Sequence, residues 1–427
     1  MPLAIIILTI ISIICSILYF PTIKIKKVCF STYWPIALIG ALLLLITNSV
    51  SLSTVIDAFT ANNSLNPLKI LVLFISMTVL SIFLDEVGFF QYIATKAAKV
   101  LNGSQIKLFL GFYALISILT VFTSNDIIIL TFTPFICYYA KNSKINPMPY
   151  LIAEFVAANT WSMTLIIGNP TNIYLASAFN IGFIDYLKIM FLPTLAASLV
   201  SLSILYLLFR KQLKGKLEET AQQEDIKINP MLLTIGLFHL ITTTILIAIA
   251  SYINLEMWIV TLCFATSLII TTSIYLLIKK EKFNILKGTL KRAPYSLIPF
   301  VLSMFVIVLA LNDTGITTKI SNLFNTMNPI YSFGFGGALT ANLINNIPMS
   351  VLFANMTFTS NASIYASIIA SNIAAYITPV GALAGIMWMS LLKTYEVNFS
   401  FKNFVCYGIT IGIPTLIIAL LTLSLII

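Results

Sequence analysis

Apolar residues run through this chain in blocks of roughly 20, separated by short polar punctuation, from one end to the other. A block of that length crosses about 30 Å of hydrocarbon as a helix. Read in order, the blocks predict spans at about 3–20, 34–51, 68–86, 149–180, 186–209, 231–251, 257–278, 295–311, 362–392 and 404–427. Two further blocks, 108–140 and 330–358, have a different pattern. The first is flanked by Lys107 on one side and Lys141 and Lys144 on the other, with a polar centre, Thr123-Ser124-Asn125-Asp126. A hairpin that enters the membrane and turns back at mid-depth fits both flanks. Non-helical backbone persists there only where protein or a cavity shields it. The second block, centred on Asn345-Asn346, reads as a like hairpin from the opposite side.

Composition narrows the class further. The 427 residues are 59% hydrophobic and only 9% charged, with a mean hydropathy of +1.00, whereas a soluble domain carries about a quarter charged residues. No soluble catalytic domain of any size fits in such a chain. The first block lacks a basic stretch ahead of it and a small-residue cleavage site behind it, so it is expected to be a retained span. The net charge of +10 does not mark a nucleic-acid surface. All but three of the 24 basic residues (the exceptions are Lys69, Lys188 and Lys319) fall in five patches, at 24–27, 96–144, 210–227, 279–292 and 393–402. Basic residues gather at the cytoplasmic ends of spans, and placing every patch there puts both termini outside. The five cysteines show no metal-ligand spacing and read as small apolar fillers in helices. Trp34, Trp258 and Trp388 near span ends read as interfacial anchors.

The halves of the chain echo one another. Met77, Asp85-Glu86 and Gly88 match Met304, Asn312-Asp313 and Gly315 at a constant offset of 227. Each set is followed by a polar-tipped hairpin, then by a span interrupted by proline and glycine. The interruptions are Gly168-Asn169-Pro170-Thr171-Asn172 and Thr378-Pro379-Val380-Gly381-Ala382. The expected organisation is N-terminal scaffold spans at 1–67 and a first repeat at 68–209. A cytoplasmic linker follows at 210–229, then scaffold spans at 230–292 and a second repeat at 293–427. The fold class is thus an all-α polytopic membrane protein, an inverted repeat with two re-entrant hairpins and two broken transmembrane helices. Paired interrupted spans in the two halves of such a repeat are the sequence signature of a transporter's binding site.

The chemistry follows from those residues. Proline removes an amide donor and glycine relaxes the backbone, which frees carbonyls that can coordinate a cation and amides that attract anions. Ser124, Asn125 and Asp126, Gly168 to Asn172, Asn345, Asn346, Thr378, Pro379 and Gly381 are therefore the candidate solute and ion ligands. An ionised acid at mid-membrane costs at least about 2–3 kcal/mol and needs a partner or a role. Asp126 is the first candidate for carrying a proton or cation, with Asp313 and Glu154 behind it. Asp85-Glu86 reads equally as an interfacial cap before Gly88 or as functional. His239 reads as hydrogen-bonded packing in a scaffold helix. No GxxxxGK[ST] loop is present, so the driving force is expected to be a proton or sodium gradient, with no cofactor.

Together Ser124-Asn125-Asp126 with Thr133-Pro134, the Gly168–Asn172 run, Asn345-Asn346-x-Pro348 and Thr378-Pro379-x-Gly381 resemble the ion transporter superfamily. The similarity spans about residues 68 to 427 and is nearest to the arsenite permease and sodium–proton antiporter branch, related to the citrate and dicarboxylate permeases. It implies scaffold and transport domains, a homodimer, an elevator-like shift, and a plasma-membrane location. It also implies solute and ion held between the two tips and the two breaks, and an ATPase partner where the cargo is arsenite. Dicarboxylate carriers bear Ser-Asn-Thr at both tips. Asp126 at the first tip and Asn345-Asn346 at the second are similar to the arsenite permeases instead, as is Thr378-Pro379-Val380-Gly381-Ala382-Leu383-Ala384-x3-Trp388. Proton-coupled export of arsenite or antimonite is the first functional expectation. Sodium–proton antiport and carboxylate or other anion symport are the alternatives, the last disfavoured because no Lys or Arg falls in the site motifs. No nucleophile–base pair or metal-ligand set suggests an enzyme.

Overall fold

The computed structural model describes residues 1–20, 22–25, 28–62, 66–101, 103–215, 228–253 and 255–427. The chain opens with α1 (Pro2–Tyr19), a two-stranded antiparallel hairpin, β1 (Thr22–Ile25) and β2 (Val28–Ser31), then α2 (Tyr33–Ile46) and α3 (Leu52–Thr60). This hairpin is the only β-structure among the described residues. There follow α4 (Pro67–Glu86), α5 (Phe89–Val100), α6 (Gln105–Phe122), α7 (Asn125–Asn142), α8 (Met148–Trp161), α9 (Pro170–Ala178) and α10 (Phe183–Phe209). The second half holds α11 (Pro230–Ala250), α12 (Met257–Lys279), α13 (Asn284–Arg292), α14 (Leu297–Asp313) and α15 (Ile316–Thr326). It ends with α16 (Pro329–Ile344), α17 (Asn346–Ala354), α18 (Asn361–Ile373), α19 (Leu383–Thr394) and α20 (Phe401–Ile426). Among the described residues, seven helical segments are long and apolar enough to cross a bilayer. Most of the linker expected at 210–229, residues 216–227, lies outside the described residues.

Element for element, α11–α20 repeat the series α1–α10, and the packing repeats with it. The first hairpin arm packs on the first part of the broken helix in each half, α6 on α8 and α16 on α18. The second arm crosses over, with α7 on α19 and α17 on α9. Likewise α4 packs against α11 and α12, while α14 packs against α1 and α2, and α10 lies along α20. Each half thus buries its apolar faces largely against the other. In α4 78% of the apolar window is buried inside the protein, whereas in α11 and α12 only 33% is.

Local sequence explains where the helices start. Five Asn-Pro pairs (66–67, 146–147, 169–170, 229–230 and 328–329) open α4, α8, α9, α11 and α16. In each the Asn Oδ1 accepts a backbone N–H from the first turn, as at Leu68 (2.9 Å), Met148 (3.0 Å), Thr171 (3.1 Å), Met231 (3.1 Å) and Ile330 (3.1 Å). An Asn cap satisfies an orphan amide, and the proline that follows has no N–H to leave unpaired. After α4 and α14 the chain turns through Gly88 (φ +90°) and Gly315 (φ +73°). Left-handed backbone of that kind favours glycine, which accounts for the glycines at offset 227. Trp388 departs from its expected interfacial place. It is 1% exposed and packs on Phe155 and Phe404.

Candidate functional site

The two breaks are built alike. α8 stops at Trp161, a 3-10 turn spans Ile166–Gly168, and Asn169 caps α9. α18 stops at Ile373, a 3-10 turn spans Ala374–Tyr376, and α19 resumes at Leu383. A methyl on Gly168 would collide with the Ser162 carbonyl, and one on Gly381 with the Ala374 carbonyl. Glycine is needed at both places because the returning backbone presses on the end of the helix it left.

Buried amides knot the breaks together. Asn372 Oδ1, on α18, accepts hydrogen bonds from Ser162 Oγ (2.8 Å) and Asn169 Nδ2 (3.2 Å). Asn372 Nδ2 donates to Asn172 Oδ1 at 2.7 Å, and Asn172 Nδ2 donates to the carbonyls of Ser162 and Leu165. Thr171 Oγ1 lies 3.0 Å from Asn169 Oδ1 and 2.9 Å from Ser371 Oγ. The first break is therefore held by the second half of the chain. Asn372, Ser371, Ser162 and Asn159 were not among the expected ligands. Their signal was an Asn in the last turn ahead of each break, Asn159 and Asn372.

The tips close on the same centre. At the first, Ser124 caps α7 by accepting from Ile127 N, and Asn125 Nδ2 donates to Asn159 Oδ1 on α8 at 2.9 Å. Asn125 Oδ1 is buried and has no hydrogen-bond partner among the described residues. At the second, Asn345 (φ +77°, ψ +153°) joins α16 directly to α17. That backbone region costs about 1–3 kcal/mol for a residue with a side chain. Asn345 offsets it by accepting from Ile347 N (3.3 Å) and donating Nδ2 to the Val380 carbonyl (2.9 Å). Asn346 N donates to the Gly381 carbonyl at 3.0 Å. Thr378 Oγ1 and Asn342 Oδ1 are further buried oxygens without a partner among the described residues, and a Cβ on Gly381 would lie 3.1 Å from that Asn342 oxygen. Pro379 lies inside the second break, and its carbonyl packs against Gly385.

The acids separate into three situations. Asp126, in the first turn of α7, is half-buried and lines a cavity of about 520 Å³ with Tyr33, Thr78, Arg292, Ser296, Ser390 and apolar residues of α4, α14 and α19. No side chain among the described residues hydrogen-bonds to it. Arg292, which lies outside the sequence motifs, lines the same cavity and is paired with two acids. Its Nη2 lies 2.6 Å from Asp85 Oδ2 and its Nη1 2.7 Å from Glu86 Oε1. Asp85-Glu86 is therefore a charge partner of Arg292 and not a free interfacial cap. Glu154 is fully enclosed, holding Thr133 Oγ1 (2.9 and 3.1 Å) and Trp388 Nε1 (3.3 Å), away from the cavity. Asp313 ends α14 and is exposed. His239 bonds the Ile235 carbonyl and Ser267 Oγ, a packing arrangement.

Comparison with known proteins agrees with this architecture. A family model described as citrate transporter matches residues 32–368. The arsenical pump membrane protein of Escherichia coli is 26% identical over 371 residues, covering 82% of this chain and 85% of that protein. The protein of the same name from Yersinia enterocolitica is 26% identical over 380 residues with the same coverage. Among solved structures, the Alcanivorax borkumensis YdaH transporter, described as having an unusual topology, superposes with a TM-score of 0.56 at 12% identity. The match covers 100% of this chain and 97% of that one. With most of its length matched by the family model and its spans, breaks and tips in place, the chain belongs to the citrate transporter family, as a multi-pass membrane transporter.

Proposed function

We propose that this protein is a secondary transporter that exchanges a small neutral solute, arsenite or antimonite as the trihydroxide, for protons, with Asp126 carrying the proton. The observation that carries this reading is the charge arrangement of the 520 Å³ cavity. Among the described residues its acid has no hydrogen-bond partner, and its cation already has both arms on Asp85 and Glu86. A citrate or dicarboxylate ion entering there would face Asp126 without a free cationic clamp, and burying an unpaired charge is costly. A neutral trihydroxide carries no such penalty and can use the hydroxyls of Tyr33, Thr78, Ser296 and Ser390. The likeness to arsenical pump membrane proteins supports the same cargo.

In this reading the hairpins α6–α7 and α16–α17 are re-entrant, enter from opposite faces, and move with the broken helices past the remaining spans. The cavity adjoins the end of the basic segment 279–292 and so opens to the cytoplasm, with both termini outside and the protein in the plasma membrane. Asp126 then takes its proton on one side and releases it on the other. A homodimer, and an ATPase that engages the cytoplasmic loops, are further elements of the proposal.

A second reading has an observation of its own. Asn125 Oδ1, Asn342 Oδ1 and Thr378 Oγ1 are buried oxygens without protein donors, the ligand type that hard cations take. They favour sodium as coupling ion or cargo. Everted vesicles under an imposed proton gradient, tested in parallel with arsenite, sodium and citrate, separate the cases. Arsenite accumulation is the expected result. Sodium–proton exchange without arsenite flux would move the assignment to an antiporter, and citrate uptake alone would overturn the charge argument.

A further inference from the structure

The group around Arg292 does more than neutralise itself. Thr131 Oγ1, on the second hairpin arm α7, lies 2.7 Å from Asp85 Oδ1. Asp85 and Glu86 end α4, and Arg292, which ends α13, holds both. Among the described residues, Thr131 to Asp85 is the one side-chain hydrogen bond between this hairpin and α4. A hydrogen bond to a carboxylate is directional and about twice as strong as a neutral one. The chain of contacts is half-buried, with Asp85 10% and Arg292 35% exposed at the side chain, so water competes with it only in part. Gly288, one turn before Arg292, is part of the construction. A methyl there would collide with Glu86 Oε2 and push that carboxylate off the guanidinium.

We propose that Thr131–Asp85–Arg292–Glu86 is a brace that holds the hairpin arm bearing Asp126 against α4 in the access state seen here. It must open each time the tip moves, so it sets the balance between access states. Thr131 and Arg292 are on this account positioning residues. They act through the placement of Asp126, five residues before Thr131 in the same helix. The inference rests on the reading that α7 moves relative to α4, and not on the cargo.

The test needs no cargo. In full-length protein in nanodiscs, with native cysteines replaced by alanine, spin labels at Lys141→Cys on α7 and Lys287→Cys on α13 report the separation of the two elements. Both positions are exposed and outside the brace. Thr131→Val keeps the shape and removes the donor; Gly288→Ala disturbs the brace from its other end and favours the helix it sits in. Each is expected to raise the weight of a second, longer separation about tenfold, the effect of losing one charge-assisted hydrogen bond, and Thr131→Ser is expected to restore the original distribution. Unchanged distances in both Thr131→Val and Gly288→Ala, with protein that stays monodisperse, would overturn the brace. Failure of arsenite flux in vesicles would leave this measurement standing, so the two proposals fail separately.

Discussion

At the scale of single residues, the sharpest distinction is between an acid that faces a cavity and acids that are tied down. Asp126 is the first kind. Asp126→Asn keeps size and hydrogen bonding while removing the exchangeable charge, so normal expression and folding with complete loss of gradient-driven flux are expected. Retained flux in that variant would take the proton away from Asp126. Glu154 is enclosed among a hydroxyl, an indole N–H and apolar groups. A carboxylate without a cation is costly in such a place, whereas an amide satisfies the same two donors. Glu154→Gln is therefore expected to hold both its melting temperature and its transport within about twofold, as a tie between α7, α8 and α19. A dead transporter with an unchanged melting temperature would instead make Glu154 part of the proton route. Asn345 sits in strained backbone that its two side-chain bonds offset. Asn345→Ala keeps the strain and loses the offset, for an expected destabilisation of about 1–3 kcal/mol, read as a drop in thermal midpoint in detergent.

At the scale of elements, the breaks matter more than the helices that carry them. The Pro and Gly that interrupt α8–α9 and α18–α19 were plain in the sequence, and their consequence, freed backbone at mid-chain, follows from local chemistry alone. Which groups then satisfy that backbone was not plain. Asn372 lies 200 residues from Asn172, to which it donates a hydrogen bond. Asn372→Ala would leave Asn169 Nδ2 and Asn172 Oδ1 without their partner in the knot, while Ser162 Oγ keeps the Asn159 carbonyl. A loss of about 2–5 kcal/mol is expected, along with loss of flux. A melting temperature unchanged in this variant would show that the knot is replaceable by water. The Asn-Pro starts of five helices are the opposite case, since cap and first residue are adjacent and the signal is complete within two positions.

At the scale of the whole molecule, the two halves build each other's interfaces. α7 packs on α19 and α17 on α9, so neither half can bury its second hairpin arm alone. The orientation in the membrane carries its own prediction. With the basic loops inside, a cysteine at Lys282 should react with a membrane-impermeant reagent only from the cytoplasmic face. One at Asn328, ahead of α16, should react only from outside. The reverse pattern would invert the threading and place the Asp126 cavity on the outer face.

What the sequence determined was everything set by local composition and period. That includes the apolar blocks that become helices, the duplicated glycine and acid pattern, the two tips and the two breaks. These are short-range properties, because a helix in hydrocarbon satisfies its own backbone and so declares itself within about 20 residues. What only the tertiary structure decided was which distant residues meet. Arg292 comes from a basic patch that reads as topology, yet folding brings it over Asp85 and Glu86, some two hundred residues earlier. Trp388 reads as an interfacial anchor and is buried on Glu154. Asp313 matches Glu86 in the repeat and is left exposed, because no arginine of the first half stands where Arg292 stands for α4. Pairing across the two halves is a matter of packing geometry, and that geometry settles which acids are tied down and which one faces the cavity.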